Sequence, residues 1–190
     1  FGDLVQLIKD NPKNAEIIVA VTIVVVANAI AQAITKWRKG GQSWLSWDFL
    51  AMIRMGVWAV IATPIVSRWL QHLTSTFGDG VDVATVAQKL VLDQLLFSPA
   101  LLLGFFLYSG IFDTVTLMQD HVSASLQRIR RDLIPCQRMG MSFWIPVAVA
   151  NFTVVPEHFA ILVINLAGLV WNVMFSLALE GADKSKTKQA

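Results

Sequence analysis

The residues of this chain that could do chemistry are polar side chains set inside otherwise apolar segments. Asn28 and Gln32 lie one helical turn apart in a run rich in Val and Ile, and Asn165, Gly168, Asn172 and Ser176 form a small and polar stripe near the other end. Between them come Arg54, the group Lys89, Asp93 and Gln94, and Asn151, which opens a string closing on Val155-Pro156. Hydrocarbon offers no hydrogen-bond partner, so each of these groups must be satisfied inside protein or in a wet cavity. Amides donate and accept without a fixed charge. That suits two jobs, hydrogen bonding between helices and lining a hydrated path, and the sequence leaves both open.

Other chemistry is missing. No nucleophile is paired with a base, no glycine-rich phosphate loop occurs, and Gly40-Gly41 reads as a turn. His72, His121 and His158 are isolated, with no second ligand at metal-binding spacing. Cys136 is the single cysteine, which excludes an intrachain disulfide and any CxxC site. Neither catalysis nor a resident metal or cofactor is expected. Bound lipid is expected, and haem or a pigment would enter on a histidine only within a larger assembly. The net charge of +2 is scattered, and no basic stripe is interleaved with aromatics, so nucleic acid is not an expected partner. The expected partners are membrane lipid and other membrane protein subunits or further copies of the chain.

The elements that must position these groups follow from composition. With 55% hydrophobic and 15% charged residues and a mean hydropathy of +0.59, the chain is too apolar for an ordinary soluble domain, whose charged fraction is about 25%. It reads as an all-α integral membrane protein. Spanning a bilayer core takes about 20 apolar helical residues, and four regions supply that length: residues 15–35, 47–70, 86–112 and 158–179. Arg54 and Arg68 stand near the two ends of the second span, about 21 Å apart along a helix, where each can reach an interface. Ala100 and Gly104 place a small-xxx-small step on the third.

Two further helices are expected. Met118, Val122, Leu126, Ile129 and Leu133 recur at helical spacing, with Arg128, Arg130 and Arg131 elsewhere on the wheel, so residues 118–133 read as an interfacial amphipathic helix. It packs either on lipid or on the protein's own loops. Residues 139–155 read as a short apolar helix, broken by Pro146 or re-entrant, and Pro156 suits the first turn of the last span. Trp37, Trp44 and Trp47 around the first linker read as interfacial anchors. Residues 1–180 are thus expected to be one transmembrane domain, a four-span helical bundle, with 181–190 a polar, Lys-rich tail. The chain begins at Phe1 and not at methionine, which suggests a processed or trimmed N-terminus.

The order of these residues resembles the family of the twenty-two-kilodalton peroxisomal membrane protein and its Mpv17 relatives of the mitochondrial inner membrane. The resemblance covers most of the chain. It rests on Asn11 and Pro12, Gln32, Pro64 with Trp69 and Leu73, then Lys89, Asp93, Gln94, Phe97 and Pro99. Trp144, the string from Asn151 to Pro156, and Trp171-Asn172 with Ser176 complete it. There are departures. Asn28 stands where the family usually carries aspartate, Leu70 replaces a tyrosine, the Trp-Pro pair becomes Trp144-Ile145-Pro146, and Ala148 and Ala160 replace polar residues.

The resemblance implies a small four-span organellar membrane protein, with the mitochondrial inner membrane expected and the peroxisomal or plastid membrane as alternatives. It implies a channel-like protein passing small metabolites, with Asn28, Gln32, Arg54, Lys89, Asp93, Gln94, Asn151, Asn165, Asn172 and Ser176 as the interior polar or pore-lining set. The lost polar positions support an alternative, a non-catalytic accessory subunit of a respiratory complex, an ATP synthase or a photosystem.

Overall fold

A computed structural model describes residues 12–38, 47–78, 80, 82–117, 122–153, 163 and 166–178, and every regular element among them is helical. In chain order these are α1 (Pro12–Arg38), α2 (Phe49–Phe77), α3 (Val83–Leu92), α4 (Ser98–Leu117), α5 (Val122–Thr153) and α6 (Leu166–Ala178). A π-helical turn, Asp93–Phe97, joins α3 to α4 without a break. Three stretches are long and apolar enough to cross a membrane: Asn14–Arg38 with 25 residues, Phe49–Phe77 with 29 and Val83–Val115 with 33. The fourth expected span, 158–179, lies partly outside the described residues, and within it Leu166–Ala178 is helical.

The chain divides into two compact units, Phe1–His72 and Leu73–Ala190. In the first, α1 and α2 run antiparallel, as three contacts along their length establish. The Gln32 side chain meets the Asp48 backbone, a Cβ at Gly56 would touch Val25 and Val21 at 3.6 and 3.8 Å, and Ser67 Oγ donates to Glu16 Oε2 at 3.2 Å. The buried face is built from small residues, Ala27 and Ala31 on α1 and Gly56, Ala59 and Ala62 on α2. Small side chains let helices approach closely where no hydrophobic effect drives them together. The opposite faces, with Ile18, Val19, Val26 and Ile30 on α1 and Ile53, Val57, Val60 and Ile61 on α2, are exposed, as lipid-facing surfaces should be.

In the second unit α4 packs on α5, and α6 joins them through aromatic rings. Phe175 meets Phe105 edge-on at 5.2 Å, and Trp171 lies between Phe143 at 5.8 Å and Trp144 at 6.2 Å. Gly140 makes room for that ring: a Cβ there would come within 3.4 Å of Trp171. Such edge-on and offset arrangements are favoured between ring quadrupoles.

One difference from the sequence reading stands out. Residues 118–133 and 139–155 are read above as two helices, whereas one helix, Val122–Thr153, runs through most of both and contains Pro135 and Pro146. Each proline forfeits one ladder hydrogen bond. The turns on either side keep theirs, and α4 packed alongside holds them in line. Both prolines lie on the exposed side of α5.

The ends of α2 and α3 are set by single residues. Gly78 takes φ of +79°, and its N–H bonds the Thr74 carbonyl at 2.8 Å, closing α2 with a left-handed cap. A Cβ at Gly78 would meet open space, so Gly78→Ala should cost only the conformational penalty, about 1 kcal/mol. A loss several times larger on unfolding in mixed micelles would show that the cap does more. Asp82 opens α3, its Oδ1 accepting from the N–H groups of Ala84 and Thr85 at 3.1 and 3.0 Å. The Thr85 side chain first, then its backbone N–H, holds the Asp82 carboxyl below the usual carboxylate range. Being depressed, it stabilises the cap above the ordinary carboxylate pKa, and that contribution is lost as pH falls through the folded value.

Candidate functional site

Polar groups buried in the apolar helices gather at two places, one in each unit. In the first unit, Asn28 and Gln32 sit on the buried face of α1. The Gln32 amide is shared among three bonds: Nε2 donates to Asn28 Oδ1 at 2.8 Å and to the Asp48 carbonyl at 3.0 Å, while Oε1 accepts from the Asp48 N–H at 2.9 Å. Asp48 is the N-cap of α2, its Oδ1 accepting from the Ala51 N–H at 2.8 Å. Gln32 therefore acts as one more peptide group, pairing with both backbone atoms of the residue that starts the next helix. Nearby, Lys36 Nζ sits over the Trp47 ring at 4.1 Å, a cation–π contact that gives this tryptophan a role beyond an interfacial anchor.

The second site is the π turn. Within it the Ser98 N–H bonds the Asp93 carbonyl, five residues back. The next donor in that register would be residue 99, bonding the Gln94 carbonyl, but Pro99 has no N–H. Gln137, on α5, fills the gap: its Nε2 donates to the Gln94 carbonyl at 2.8 Å. Ser98 Oγ donates to Gln137 Oε1 at 3.1 Å, fixing which end of the amide faces the carbonyl. Pro99 is the middle residue of the span Val83–Val115, where an orphaned carbonyl would be most costly.

Gln94 has a second peculiarity. Its Nε2 donates to Asp93 Oδ2 at 2.9 Å, which fixes the orientation of the amide, since the reverse would set oxygen against a carboxylate. Its Oε1 is buried and has no hydrogen-bond partner among the described residues, and residue 94 is only 5% exposed. Further along the same span, Ser109 Oγ is likewise buried without a partner among the described residues, in a residue 4% exposed. Buried acceptors are nearly always satisfied in native proteins, so two orphans within one span mark places where water or a passing donor belongs.

The remaining candidates are placed as follows. Lys89 and Asp93 are half-buried around the start of the π turn, and Arg54 is half-buried on α2. Asn172 donates from Nδ2 to the Gly168 carbonyl at 2.7 Å, one turn back in its own helix, and Ser176 is buried on α6. Asn151 falls in the last turn of α5, and Asn165 lies outside the described residues, as do His121 and His158. Among the described residues no cluster of three or more His, Cys, Asp or Glu side chains could hold a metal ion.

Several residues of these sites escape a reading of the sequence. Gln137 and Ser98 lie in stretches with no other mark, although a proline following Gln94 inside an apolar span is a signal that a side-chain donor must be near. Asp113 and Asp132 are buried as well. Asp132 is held by Arg131, whose Nε and Nη2 donate to its two carboxylate oxygens at 2.6 Å each.

Comparison with known proteins bears on both sites. A family model described as the Mpv17 / PMP22 family matches residues 116–176, which include α5 and most of α6. The PXMP2/4 family protein 3 of Dictyostelium discoideum is 25% identical over 170 residues, 90% of this chain and 85% of its own length. The mitochondrial inner membrane protein Mpv17 of Danio rerio is 26% identical over 170 residues, 90% of this chain and 91% of its own. Peroxisomal membrane protein 2 of Bos taurus is 27% identical over 146 residues, 77% of this chain and 72% of its own. No solved structure matches significantly.

Proposed function

From the homology of this chain to the Mpv17 / PMP22 family, we propose that it is a non-catalytic, channel-like protein of an organellar membrane that passes small metabolites passively along polar groups within its helices. The observation that carries this reading is the pair of orphaned acceptors, Gln94 Oε1 and Ser109 Oγ, buried in one apolar span. A chain that only needed to be packed would be more stable with apolar residues there. A hydrated path supplies donors that an apolar interior does not. Lys89, Asp93, Gln94, Asn172 and Ser176 are the residues this proposal places along the path, with Asn151 and Asn165 as further members of the same unit. A fourth span over 158–179, completing one membrane domain over 1–180, belongs to the same proposal. Relatives carry both mitochondrial inner membrane and peroxisomal membrane in their names, and the mitochondrial inner membrane is the compartment proposed here.

The alternative, an accessory subunit of a larger membrane complex, draws on a different observation. Gln32, with Asn28 beside it, is spent on holding α1 to the start of α2, and bracing is what a packing subunit requires. Solute flux separates the two. In liposomes loaded with small neutral and anionic solutes, Gln94→Leu should lower flux at least about threefold, as loss of a polar lining group from a hydrated path would. Its fold should stay intact, since it loses one unpartnered acceptor and a single bond to the neighbouring, half-buried Asp93. Flux equal to that of empty liposomes in the unaltered protein would sink the channel reading. Co-migration of the endogenous protein with bioenergetic subunits in mild detergent would then favour the accessory one.

A further inference from the structure

The exposed face of α5 carries a charge and shape that the rest of the described chain does not answer. Arg130, Arg131 and Arg138 are exposed, and so are Leu126, at 50%, and Ile134, at 61%, interleaved with them. At 100° per residue the three arginines and Ile134 fall within about 100° of one another around the helix, and Arg130 and Arg138 are about 12 Å apart along it. Within Val122–Thr153 four arginines stand against one carboxylate, Asp132, and that carboxylate is buried and held by Arg131 on the same helix. It therefore leaves Arg130 and Arg138 their full charge. Among the described residues no ion pair engages either.

The continuity of α5 locates this face. Beyond Ser142 the exposed side turns apolar, with Pro146, Val149 and Ala150, so one unbroken helix passes from a surface fit for hydrocarbon to one fit for headgroups. Polar headgroups occupy about 5–8 Å on each side of the bilayer core. Arginine side chains at positions 130 and 138, flexing along the helix, reach that layer together. Arginine presents a planar fork of donors that matches phosphate oxygens, and the leucine and isoleucine between the forks match the glycerol and upper acyl region.

We propose that this face, centred on Arg130 and Arg138 and floored by Leu126 and Ile134, is a docking surface for anionic phospholipid. The exposed apolar residues select a lipid over a soluble phosphate, which would gain nothing from them. The inference holds whether or not the protein conducts solutes.

The test uses the intact chain in mild detergent, delipidated and then offered phosphatidylglycerol and phosphatidylcholine in equal amounts, with retained lipid counted by native mass spectrometry. The unaltered protein should retain phosphatidylglycerol over phosphatidylcholine by about tenfold, the scale expected for a few basic side chains at an anionic surface. Arg130→Gln with Arg138→Gln should bring that preference close to unity while helical content and melting stay unchanged. Gln127→Glu is a second variant, exposed about one turn before Arg130, that keeps both arginines and adds an opposing charge; it should weaken the preference severalfold. Equal retention of the two lipids by the unaltered protein, or an undiminished preference in both variants, would overturn the proposal. So would displacement of the lipid by inorganic phosphate at the same concentration, since that would mark a free-anion site.

Discussion

Gln137→Leu is expected to destabilise the protein by about 2 kcal/mol, and Pro99→Ala in the same chain is expected to return most of that loss. The leucine takes away the Nε2 donor that reaches the Gln94 carbonyl at 2.8 Å and strands the Ser98 hydroxyl that now donates to Gln137. The Gln94 carbonyl faces Gln137 on α5, and leucine there puts an apolar side chain against it, so the cost is that of an unsatisfied group, about 1–3 kcal/mol, and not the smaller net value of an exchanged hydrogen bond. Alanine at position 99 restores a backbone N–H. If the π register persists, that N–H bonds the Gln94 carbonyl; if the turn reverts to α register, the Ser98 N–H bonds it instead. Either way Gln137 is no longer needed for that purpose. The four proteins of this double-mutant cycle, unfolded in mixed micelles, should give a coupling of about 1–2 kcal/mol between positions 99 and 137. Equal costs of Gln137→Leu in both backgrounds would show that Gln137 is an ordinary packing contact and that the carbonyl finds another partner.

That cycle also shows where a sequence stops being readable. The three spans were legible because apolar length alone dictates them: 15–35, 47–70 and 86–112 lie inside or close to Pro12–Arg38, Phe49–Phe77 and Val83–Leu117. Their ends were not, because a helical ladder continues past the lipid for as long as its backbone allows. Thus α2 runs on through Gln71 and His72 to a glycine with positive φ at Gly78. The joining of two expected helices into α5 was hidden by Pro135 and Pro146, which signal a break unless a neighbouring helix holds both sides in register. The polar candidates were legible as residues and illegible as roles. Gln32 and Asn172 share a composition signal, yet one bridges to the backbone of another helix and the other turns back to its own. Nothing in the one-dimensional pattern separates these, since the partner in each case is a backbone atom that every residue carries.

Gln32→Leu should be among the most damaging changes in the first unit, at about 2–3 kcal/mol. Three bonds go at once; the Asp48 carbonyl keeps the Met52 N–H at 3.3 Å, but Asn28 Oδ1 and the Asp48 N–H each lose the partner that Gln32 supplied. Asp48 is also the residue that caps α2, so the loss spreads to the first turn of that helix, where an N-cap alone is worth about 1 kcal/mol. Gln32→Glu should be worse than leucine. A carboxylate would keep an acceptor for the Asp48 N–H, but it would place charge beside Asn28 Oδ1 and the Asp48 carbonyl, both of which now receive a hydrogen. Asn28→Asp, by contrast, keeps the acceptor that Gln32 needs, so it should be tolerated far better. The order of stability expected on unfolding in mixed micelles is therefore unaltered protein, Asn28→Asp, Gln32→Leu, Gln32→Glu. Should Gln32→Glu prove as stable as the unaltered protein, position 32 must be reached by water. The amide would then belong to a hydrated path and not to the brace between α1 and α2.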